Sequence, residues 1–248
     1  MKVSVVVPAY NEEKRLPTTL ARIGEYLRAA GEPEWEIVVV DDGSSDRTAD
    51  VARAAAPEAG VPVEVVVLPR NRGKGAAIRE GVVRTRGERV LVSDADLSTP
   101  IEEWRRLSDA GTPIAIGSRA IDEATVRRRQ AWYRRTLGKL FNRLVRALSV
   151  PGIRDTQCGF KLFDGAVARE LFSSARIDRF AWDVEILALA RARGIPIAEV
   201  PVLWFNSPES KVSVLRDLIP TMRDLLRIRW RMQRESKARR TAGGAPGA

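Results

Sequence analysis

Two aspartates separated by one residue offer the clearest chemistry in the sequence. Asp94 and Asp96 stand in "SDADLSTP", directly after the short apolar run 90–92. Two carboxylates this close repel each other unless a cation or hydrogen-bond donors compensate their charge. Mg²⁺ and Mn²⁺ prefer oxygen ligands, and Mg²⁺ is typically held by one or two carboxylates plus substrate phosphate oxygens. The pattern predicts a divalent-metal site, whereas the simpler alternative is that Asp96 caps the helix beginning near Pro100.

A second acidic pair, Asp41 and Asp42, ends another apolar run in "VVVDDGSSDRT". Gly43 permits a tight turn there, and residues 44–46 can cap the following helix. Both acids can therefore serve only the turn and the cap. Two acidic strand ends at one edge of a sheet nevertheless repel each other unless a cation, a donor-rich ligand or water screens them, which favours a ligand-binding edge.

Glycines flank a lysine in "NRGKGAAIREG", where Gly73, Lys74 and Gly75 precede a helical pattern. Backbone N–H groups at a helix start and an ammonium group can together bind a phosphate. The spacing differs from the GxxxxGK[ST] pattern of ATP-binding loops, which disfavours an ATPase-type site. A basic loop before an ordinary helix is the alternative.

Short β-branched runs alternate with helical patterns in the first half of the chain. The runs are 3–7, 37–40, 63–68, 90–92 and 114–116, and the helical stretches are roughly 12–30, 46–55, 75–86 and 101–110, with later strands near 161–163 and 199–204. This alternation indicates an α/β fold with a mainly parallel sheet flanked by helices. Ligands of such sheets bind at the carboxyl ends of the strands. The polar segments "PAYNE", "DDGSSD", "PRNRGKG", "SDAD" and "GSR" follow the five runs, so we expect them at one edge.

The residue types that are absent restrict the chemistry. The 248-residue chain has no histidine, which excludes Ser-His and Cys-His nucleophilic sites and His-ligated zinc. Its one cysteine, Cys158, excludes an internal disulfide and a cysteine-cluster metal site. A net charge of +10 favours anionic partners such as phosphates, anionic lipid or nucleic acid. Carboxylates and basic side chains must therefore carry any catalysis.

Two basic amphipathic stretches follow residue 119. Residues 126–146 hold eight Arg or Lys and no acid, and residues 214–232 place apolar side chains on one side of a helix and arginines elsewhere. A solvated basic surface is one explanation, and binding to anionic lipid or to a phosphate is the other. Pro220 is expected to kink the second helix or to start its longer part. We expect an α/β domain at 1–212, a basic helical extension at 213–234 and a disordered tail at 235–248.

Seven segments occur in an order typical of one enzyme family. They are "VSVVVPAYNEE", "IVVVDDGSSDRT", "NRGKGAA", "SDADLSTP", "GSR", "RDTQCGFKLF" and "FAWDVEIL". Together they resemble the inverting family 2 glycosyltransferases with the GT-A fold, over about residues 2–215, and within them the dolichyl- or polyprenyl-phosphate β-glucosyltransferases. The resemblance implies transfer of a hexose, glucose from UDP-glucose, to a polyprenyl or dolichyl phosphate, with Mg²⁺ or Mn²⁺ as cofactor.

The resemblance also implies roles for individual residues. The nucleotide base and ribose would be surrounded by Pro8, Ala9, Tyr10, Glu12, Asp41 or Asp42, and Lys74. Asp96 would be the firmest metal ligand, with Asp94 bridging the metal and the ribose. Around the donor sugar would lie Gln157, Cys158, Gly159, Asp183 and Glu185. Arg119 and Arg134 would bind the acceptor phosphate, and Lys211 would close over the phosphates.

Two features differ from the family pattern. Gly138 stands four residues after Arg134, where related mannosyltransferases carry a serine, so one hydroxyl donor is missing. Many relatives append transmembrane helices, whereas no window here reaches the roughly 18 apolar residues of a membrane span and the N-terminus lacks signal-peptide architecture. The basic helices would then supply the membrane contact, and the protein would be cytoplasmic and peripheral on the cytoplasmic face of the membrane.

Three alternatives stay open. In the first alternative, the donor is GDP-mannose and not UDP-glucose. A soluble hydroxyl acceptor would need a carboxylate base, for which Asp183 and Glu185 are the candidates. A non-catalytic module that binds anions or nucleic acid would explain the +10 charge. The sequence has no recognised nucleic-acid motif, however, so no nucleic-acid partner is expected.

Overall fold

A central sheet of seven strands organises the chain. The computed structural model describes residues 2–30, 34–121, 126–127, 150–205 and 214–242. Its strands, in chain order, are β1 (Lys2–Ala9), β2 (Glu34–Asp41), β3 (Val63–Val67), β4 (Arg89–Val92), β5 (Ile114–Ser118), β6 (Val126–Arg127), β7 (Lys161–Asp164), β8 (Ile197–Pro201) and β9 (Trp204–Phe205). The large sheet has the order β3-β2-β1-β4-β7-β5-β8, and β6 pairs with β9 separately.

Valine-rich parallel strands form the middle of this sheet. β1 pairs in parallel with β2 and β4, β2 with β3, and β5 with β8. The residues of β1 from Val3 to Ala9 are buried, and a β-branched run packs well when both faces of a strand are covered. β7 differs, because it runs antiparallel between β4 and β5. The predicted α/β fold with a mainly parallel sheet is confirmed, and each of the five early strand predictions coincides with a strand.

Seven helices are present in the described residues. They are α1 (Leu16–Ala29), α2 (Thr48–Ala55), α3 (Lys74–Val82), α4 (Trp104–Asp109), α5 (Gly165–Ser174), α6 (Trp182–Ala192) and α7 (Val214–Ala242), and the segments Ala56–Ala59 and Ile101–Glu103 are 3-10 turns. α1 begins later than the predicted residue 12. Before it, the N–H of Asn11 donates to Ser44 Oγ and the N–H of Glu12 donates to Thr48 Oγ1 at the start of α2. α5 and α6 were not predicted as helices.

The sheet carries an apolar core on each face. Val3, Val5 and Val7 of β1 pack with α1 and α4, whereas Val6 packs with α3, α5 and α6 on the other face. Alternation of side chains along a strand produces this division. Because both faces are filled, the sheet edge with the polar loops is the part of the α/β layers that can receive a ligand.

Helix α7 differs from the sequence-based predictions in three respects. The assigned helix begins at Val214 and continues through Pro220, so Pro220 does not start a separate longer part, and the kink at Pro220 stays a prediction. Leu225 is buried and the adjacent Leu226 is exposed, so the apolar residues do not all lie on one side. The helix also runs past residue 235, the predicted start of a disordered tail, to Ala242. An ion pair one turn apart, Arg231 Nε to Glu235 Oε1 at 2.9 Å, supports the helix across that boundary.

No helix in the described part of the chain has both the length and the apolarity that a membrane crossing requires. Most of the basic stretch 126–146 lies outside the described residues. The part of it that the structure describes, Val126–Arg127, is strand β6.

Candidate active site

Sequence-distant polar segments meet at one edge of the sheet. β1 to β4 are mutually parallel, so the segments that follow them leave the sheet on the same side. β5 lies two strands from β4 with antiparallel β7 between them, so Arg119, directly after β5, emerges on that side too. Because β7 runs in the opposite direction, residues 155–160, which precede it, arrive there as well. The expected gathering of these segments at one edge is confirmed.

Lys74 and Asp94 form an ion pair at this edge. Lys74 Nζ lies 2.5 Å from Asp94 Oδ1, and both side chains are about one-third accessible or less. Burial alone raises the pKa of Asp94, but the charge and hydrogen bond of Lys74 outweigh it, so the pKa lies below its usual value. Lys74 correspondingly has a raised pKa. The sequence placed Lys74 near the nucleotide, and the structure places its ammonium on the first aspartate of the pair.

A tight turn carries the two aspartates. The N–H of Leu97 donates to the backbone oxygen of Asp94 at 3.1 Å, and Leu97 has φ of +46°, which non-glycine residues rarely adopt. Asp96 Oδ1 accepts from the N–H of Ser98 at 2.9 Å. The following helical turn has Pro100 as its N-cap and no side-chain cap, so the alternative in which Asp96 caps that helix is wrong.

The residues present fit a divalent cation whose ligands come partly from the protein and partly from a bound substrate. Ser93 Oγ, next to Asp94, is buried without a hydrogen-bond partner among the described residues. No cluster of three or more metal-binding side chains occurs in those residues. A hard cation held by one or two carboxylates takes its remaining oxygens from substrate phosphates and water, which matches this limited donor set. Asp94 and Asp96 are the residues that would hold it.

Gly159 makes room for the Asp94 carboxylate. A Cβ atom at position 159 would meet Asp94 Oδ2 at 2.2 Å and Cγ at 2.6 Å, far inside contact distance. The "QCGF" segment thus lies against the acidic turn. Gln157 beside it is half-buried, and its N–H donates to Asp155. Cys158 is buried, which raises the pKa of its thiol and disfavours a nucleophilic role.

Arg119 is fixed by a carboxylate that the sequence analysis did not select. Asp155 accepts from Arg119 Nε at 2.7 Å and from Arg119 Nη2 at 2.9 Å, a bidentate pair, and also from the Arg119 N–H at 3.0 Å. Burial raises the pKa of Asp155, but Arg119 outweighs it and the pKa is lowered. The guanidinium also stacks over Trp204, 5.4 Å from the ring centroid. These contacts orient Arg119 at the predicted acceptor side.

Lys161 is a second missed residue of the site. Its side chain is fully buried, donates to the backbone oxygen of Cys158 and lies 5.1 Å from the Trp182 ring centroid. Burial lowers its pKa, and the charge of Asp183 opposes this shift. A lysine inside the apolar stretch "CGFKLF" was the available signal, because a lysine is rarely fully buried unless it is paired.

Asp183 is a buried carboxylate near these cations. It accepts the N–H of Val184 at 2.7 Å at the start of α6. Burial raises its pKa to about 6, and the charges of Lys161 and Lys74 limit the rise. A carboxylate with this pKa is suited to accept a proton near neutral pH.

Glu185 requires a correction to its predicted place beside the donor sugar. Its Oε2 accepts the N–H groups of Arg176 and Ile177 at 2.9 and 2.7 Å, and its Oε1 accepts from Arg231 of α7 at 2.9 Å. Residues two apart on a helix point in nearly opposite directions, so Asp183 and Glu185 cannot both face one ligand. Glu185 fixes the loop before α6 and attaches α7 to it.

The second acidic pair organises loops. Asp42 accepts the N–H groups of Arg72 and Gly73, both at 2.8 Å, and so holds the loop that carries Lys74. Burial raises the pKa of Asp42 despite these bonds. Asp41 accepts the N–H of Ser44 at 2.9 Å within the turn. The hydrogen bonds confirm that Asp41 and Asp42 stabilise turns and loops, and ligand binding by either residue stays a prediction.

The remaining predicted residues fall into two groups. Pro8 and Ala9 end β1 at the polar edge, Tyr10 is exposed beyond them, and Glu12 pairs with Arg15 Nε at 2.6 Å. Their predicted contact with the nucleotide remains a prediction. Arg134, Lys211 and Gly138 lie outside the described residues, so the structure gives no account of these predictions.

Known proteins are similar to this chain over most of its length. The family model described as Glycosyl transferase family 2 matches residues 4–172. The dolichyl-phosphate beta-glucosyltransferase of Mus musculus is 41% identical over 258 residues, covering 96% of this chain and 80% of that protein. The dolichyl-phosphate beta-glucosyltransferase of Saccharomyces cerevisiae is 35% identical over 248 residues, covering 92% and 74% respectively.

Solved structures share the fold at lower identity. Glucosyl-3-phosphoglycerate synthase from Mycobacterium tuberculosis in complex with UDP has a TM-score of 0.66 and 22% identity, covering 93% of this chain and 79% of that chain. The same enzyme with Mn²⁺, UDP and glucosyl-3-phosphoglycerate gives a TM-score of 0.64 and 20% identity, with the same coverage. At these identities the likeness establishes the fold alone.

Proposed function

Because this chain belongs to glycosyl transferase family 2, we propose that it transfers glucose from UDP-glucose to a polyprenyl or dolichyl phosphate, with inversion at the anomeric carbon. The observation that carries the proposal is the acidic turn at the polar edge, where Asp94 is paired with Lys74 and followed by Asp96. Its relatives at 35–41% identity, named dolichyl-phosphate beta-glucosyltransferases, support this acceptor class.

The donor diphosphate is proposed to lie beside Asp94, Asp96 and Lys74. Mg²⁺ or Mn²⁺ held by the two carboxylates supplies Lewis-acid stabilisation of the charge on the departing diphosphate. Lys74 adds a fixed positive charge, and Asp42 holds the backbone of the Lys74 loop in place. The nucleotide base and ribose are assigned to the ends of β1 and β2, at Pro8, Ala9, Tyr10, Glu12 and Asp41 or Asp42.

The acceptor phosphate is proposed to bind at Arg119. Its guanidinium is held by Asp155 and stacked on Trp204, so little side-chain entropy is lost when a phosphate binds. The resemblance alone assigns Arg134 to the same acceptor phosphate. It also assigns Lys211 to closure over the phosphates.

The reaction forms one bond and breaks one bond at the anomeric carbon. An oxygen of the acceptor phosphate attacks that carbon, and the bond to UDP breaks with its electron pair leaving on the diphosphate. A phosphate monoester has a second pKa of about 6, so its attacking oxygen is already ionised at neutral pH. No general base is required, which agrees with a chain that lacks histidine.

The same reaction places the protein at a membrane. A polyprenyl or dolichyl phosphate is anchored by its hydrocarbon chain, so the enzyme must reach its phosphate at the bilayer surface. We propose peripheral attachment on the cytoplasmic face through the basic stretches 126–146 and 214–232.

A hydroxyl acceptor is a second candidate, and one observation favours it. The raised pKa of Asp183, about 6, suits a general base, which a hydroxyl needs and a phosphate does not. In that case Asp183→Asn should reduce kcat far more than Arg119→Ala does. For a phosphate acceptor the order of the two effects should be reversed.

The test offers labelled UDP-glucose and, in parallel, GDP-mannose with polyprenyl phosphate and Mg²⁺ or Mn²⁺. The wild type should form a glucosyl lipid, and Asp96→Ala should lose about 100-fold or more of that activity. Asp109→Ala removes a carboxylate from the exposed end of α4 and should keep the activity. Product from GDP-mannose alone would contradict the proposed donor, and no lipid-linked sugar from either donor would contradict the function.

A further inference from the structure

Helix α7 exposes an unusual amount of apolar surface along one line. Ile219, Leu226 and Trp230 are 78%, 57% and 59% accessible. They are seven and four residues apart, which places them on one stripe of an α-helix. Single exposed apolar side chains are common, but three large ones in a row on one helix face are typical of an interaction surface.

This stripe is not the face that packs on the protein. Leu225 and Ile228 of α7 are buried in the core, and Arg231 pairs with buried Glu185 of α6. At 3.6 residues per turn, Leu225 and Ile228 lie on the side of the helix opposite Trp230, and Arg231 lies about 100° around the helix from Trp230, between the two faces. The inner contacts fix the rotation of α7, so the stripe is held outward.

Arginines border the stripe. Arg223, Arg227, Arg229 and Arg234 are all exposed, and the Arg234 guanidinium lies 4.0 Å from the Trp230 ring centroid. Between residues 219 and 235 the acidic side chains are buried Asp224 and half-buried Glu235, which pairs with Arg231. The outer surface of this segment is therefore apolar and positive, with no exposed acid.

We propose that this surface, defined as Ile219, Leu226 and Trp230 with the four bordering arginines, docks on an anionic lipid bilayer with α7 lying in the interface. Apolar side chains of such a helix enter the boundary of head groups and acyl chains, and arginines bind anionic head groups. Trp230 is suited to that boundary because its ring is amphipathic. The proposal rests on the proposed function, since it supplies the surface at which a lipid phosphate would be met.

A second copy of the chain is a poorer occupant. Face-to-face packing of two α7 helices would bring arginine rows together and remove them from water, which is costly for like charges. An anionic bilayer instead complements the positive charge over an extended surface.

The test measures partitioning of the full chain to vesicles without polyprenyl phosphate or nucleotide sugar. Vesicles of phosphatidylcholine alone are compared with vesicles that also contain phosphatidylglycerol. The wild type should bind the anionic vesicles more tightly. Leu226→Gln with Trp230→Gln should weaken that binding about tenfold or more. Val67→Gln with Val83→Gln changes two exposed apolar residues elsewhere and should leave it unaltered.

The charge contribution is tested separately. Changing Arg223, Arg227 and Arg234 together to Gln should weaken binding by about fivefold for each arginine and remove most of its salt dependence. The matched control changes Arg22, Arg53 and Arg106 to Gln, which removes the same charge from exposed positions on other helices. Equal losses of vesicle binding in both triple variants would show that net charge alone attracts the protein to the bilayer, and would overturn the proposed surface.

Two further measurements separate this inference from its alternatives. If Leu226→Gln with Trp230→Gln converts a dimer to a monomer in size-exclusion chromatography and leaves vesicle binding unchanged, the occupant is a second copy and the proposal is overturned. Transfer to a short-chain prenyl phosphate in detergent should be unchanged in that variant. A wild type that binds vesicles through this face but transfers no sugar supports the surface and contradicts only the proposed function.

Discussion

Lys74 Nζ lies 2.5 Å from Asp94 Oδ1, so the first aspartate of the acidic turn is already paired with a cation contributed from 20 residues earlier in the chain. The ion pair places a fixed positive charge beside the pair of carboxylates. It explains how Asp94 stays ionised although it lies next to Asp96 and is partly buried. A diphosphate bound there would be stabilised by the same positive charge of Lys74.

Replacing Lys74 should weaken nucleotide binding more than folding. Lys74→Gln is expected to raise the dissociation constant for UDP with Mn²⁺ by about 10- to 100-fold, because a hydrogen bond to a charged group is lost. Titration calorimetry measures this directly. Lys14→Gln, an exposed change with the same loss of charge, is the control. Unchanged or tighter UDP binding in Lys74→Gln would mean that the lysine only neutralises Asp94.

Gly159 should tolerate no side chain. In Gly159→Ala the new Cβ would collide with the Asp94 carboxylate, so metal-dependent transfer should fall by about 100-fold while the protein stays folded. Gly111→Ala is the reverse control: nothing lies near its Cβ, but φ of +61° strains an alanine. It should cost about 1–2 kcal/mol of stability and keep the activity. Equal activity of the two variants would contradict the role of Gly159.

The raised pKa of Asp183 predicts how the free energy of unfolding depends on pH. Its pKa is about 6 in the folded state against an ordinary value of 3.8, so between these values the folded chain holds a proton that the unfolded chain has lost. The contribution of this group to the free energy of unfolding therefore falls as pH rises from about 4 to about 6. Asp183→Asn should stabilise the protein by up to about 3 kcal/mol at about pH 8, and the gain should vanish near pH 4.

Urea denaturation of the wild type and Asp183→Asn at both pH values measures this difference. Asp109→Asn on the surface of α4 should change the free energy of unfolding by less than about 0.5 kcal/mol at either pH. A gain that is the same at both pH values would show that the side-chain change, and not the ionisation of Asp183, is responsible.

The Arg231–Glu185 pair should control the attachment of α7. Arg231→Met leaves the buried Glu185 carboxylate without its cation, and we expect a loss of about 3–5 kcal/mol of stability. Adding Glu185→Gln should recover part of that loss, since the uncompensated charge is removed. Arg227→Met breaks the more exposed pair with Asp224 on the same helix and should cost at most about 1 kcal/mol. A double-mutant cycle in urea that gives no coupling energy would contradict the attachment.

Local patterns were enough for the five early strands and for the position of Asp94 and Asp96 directly after one of them. The valine run of β1 and the apolar run before Asp94 predicted strands correctly, because a continuous β-branched stretch suits a strand covered on both faces. The same reasoning missed α6. Trp182–Ala192 is apolar nearly all round and buried, so it lacks the polar face that marks an amphipathic helix.

Contacts between distant residues were beyond such patterns. The antiparallel register that sets Val92 opposite Lys161 brings residues 155–160 to the acidic turn, and no local signal specifies that register. Arg119 and Asp155 are 36 residues apart, and their bidentate pair exists only because β5 and the segment before β7 reach the same edge. Asp155 and Lys161 were therefore overlooked.

Residue type and near-neighbour spacing were sufficient to predict the strand runs, the two aspartates at one strand end and the exclusion of histidine chemistry. Tertiary structure alone decided that Lys74 pairs with Asp94, that Glu185 turns away to Arg231, and that Leu226 faces outward while Leu225 is buried. The reason is geometric: which groups meet depends on strand order, register and helix rotation, and these are set by packing across the whole chain.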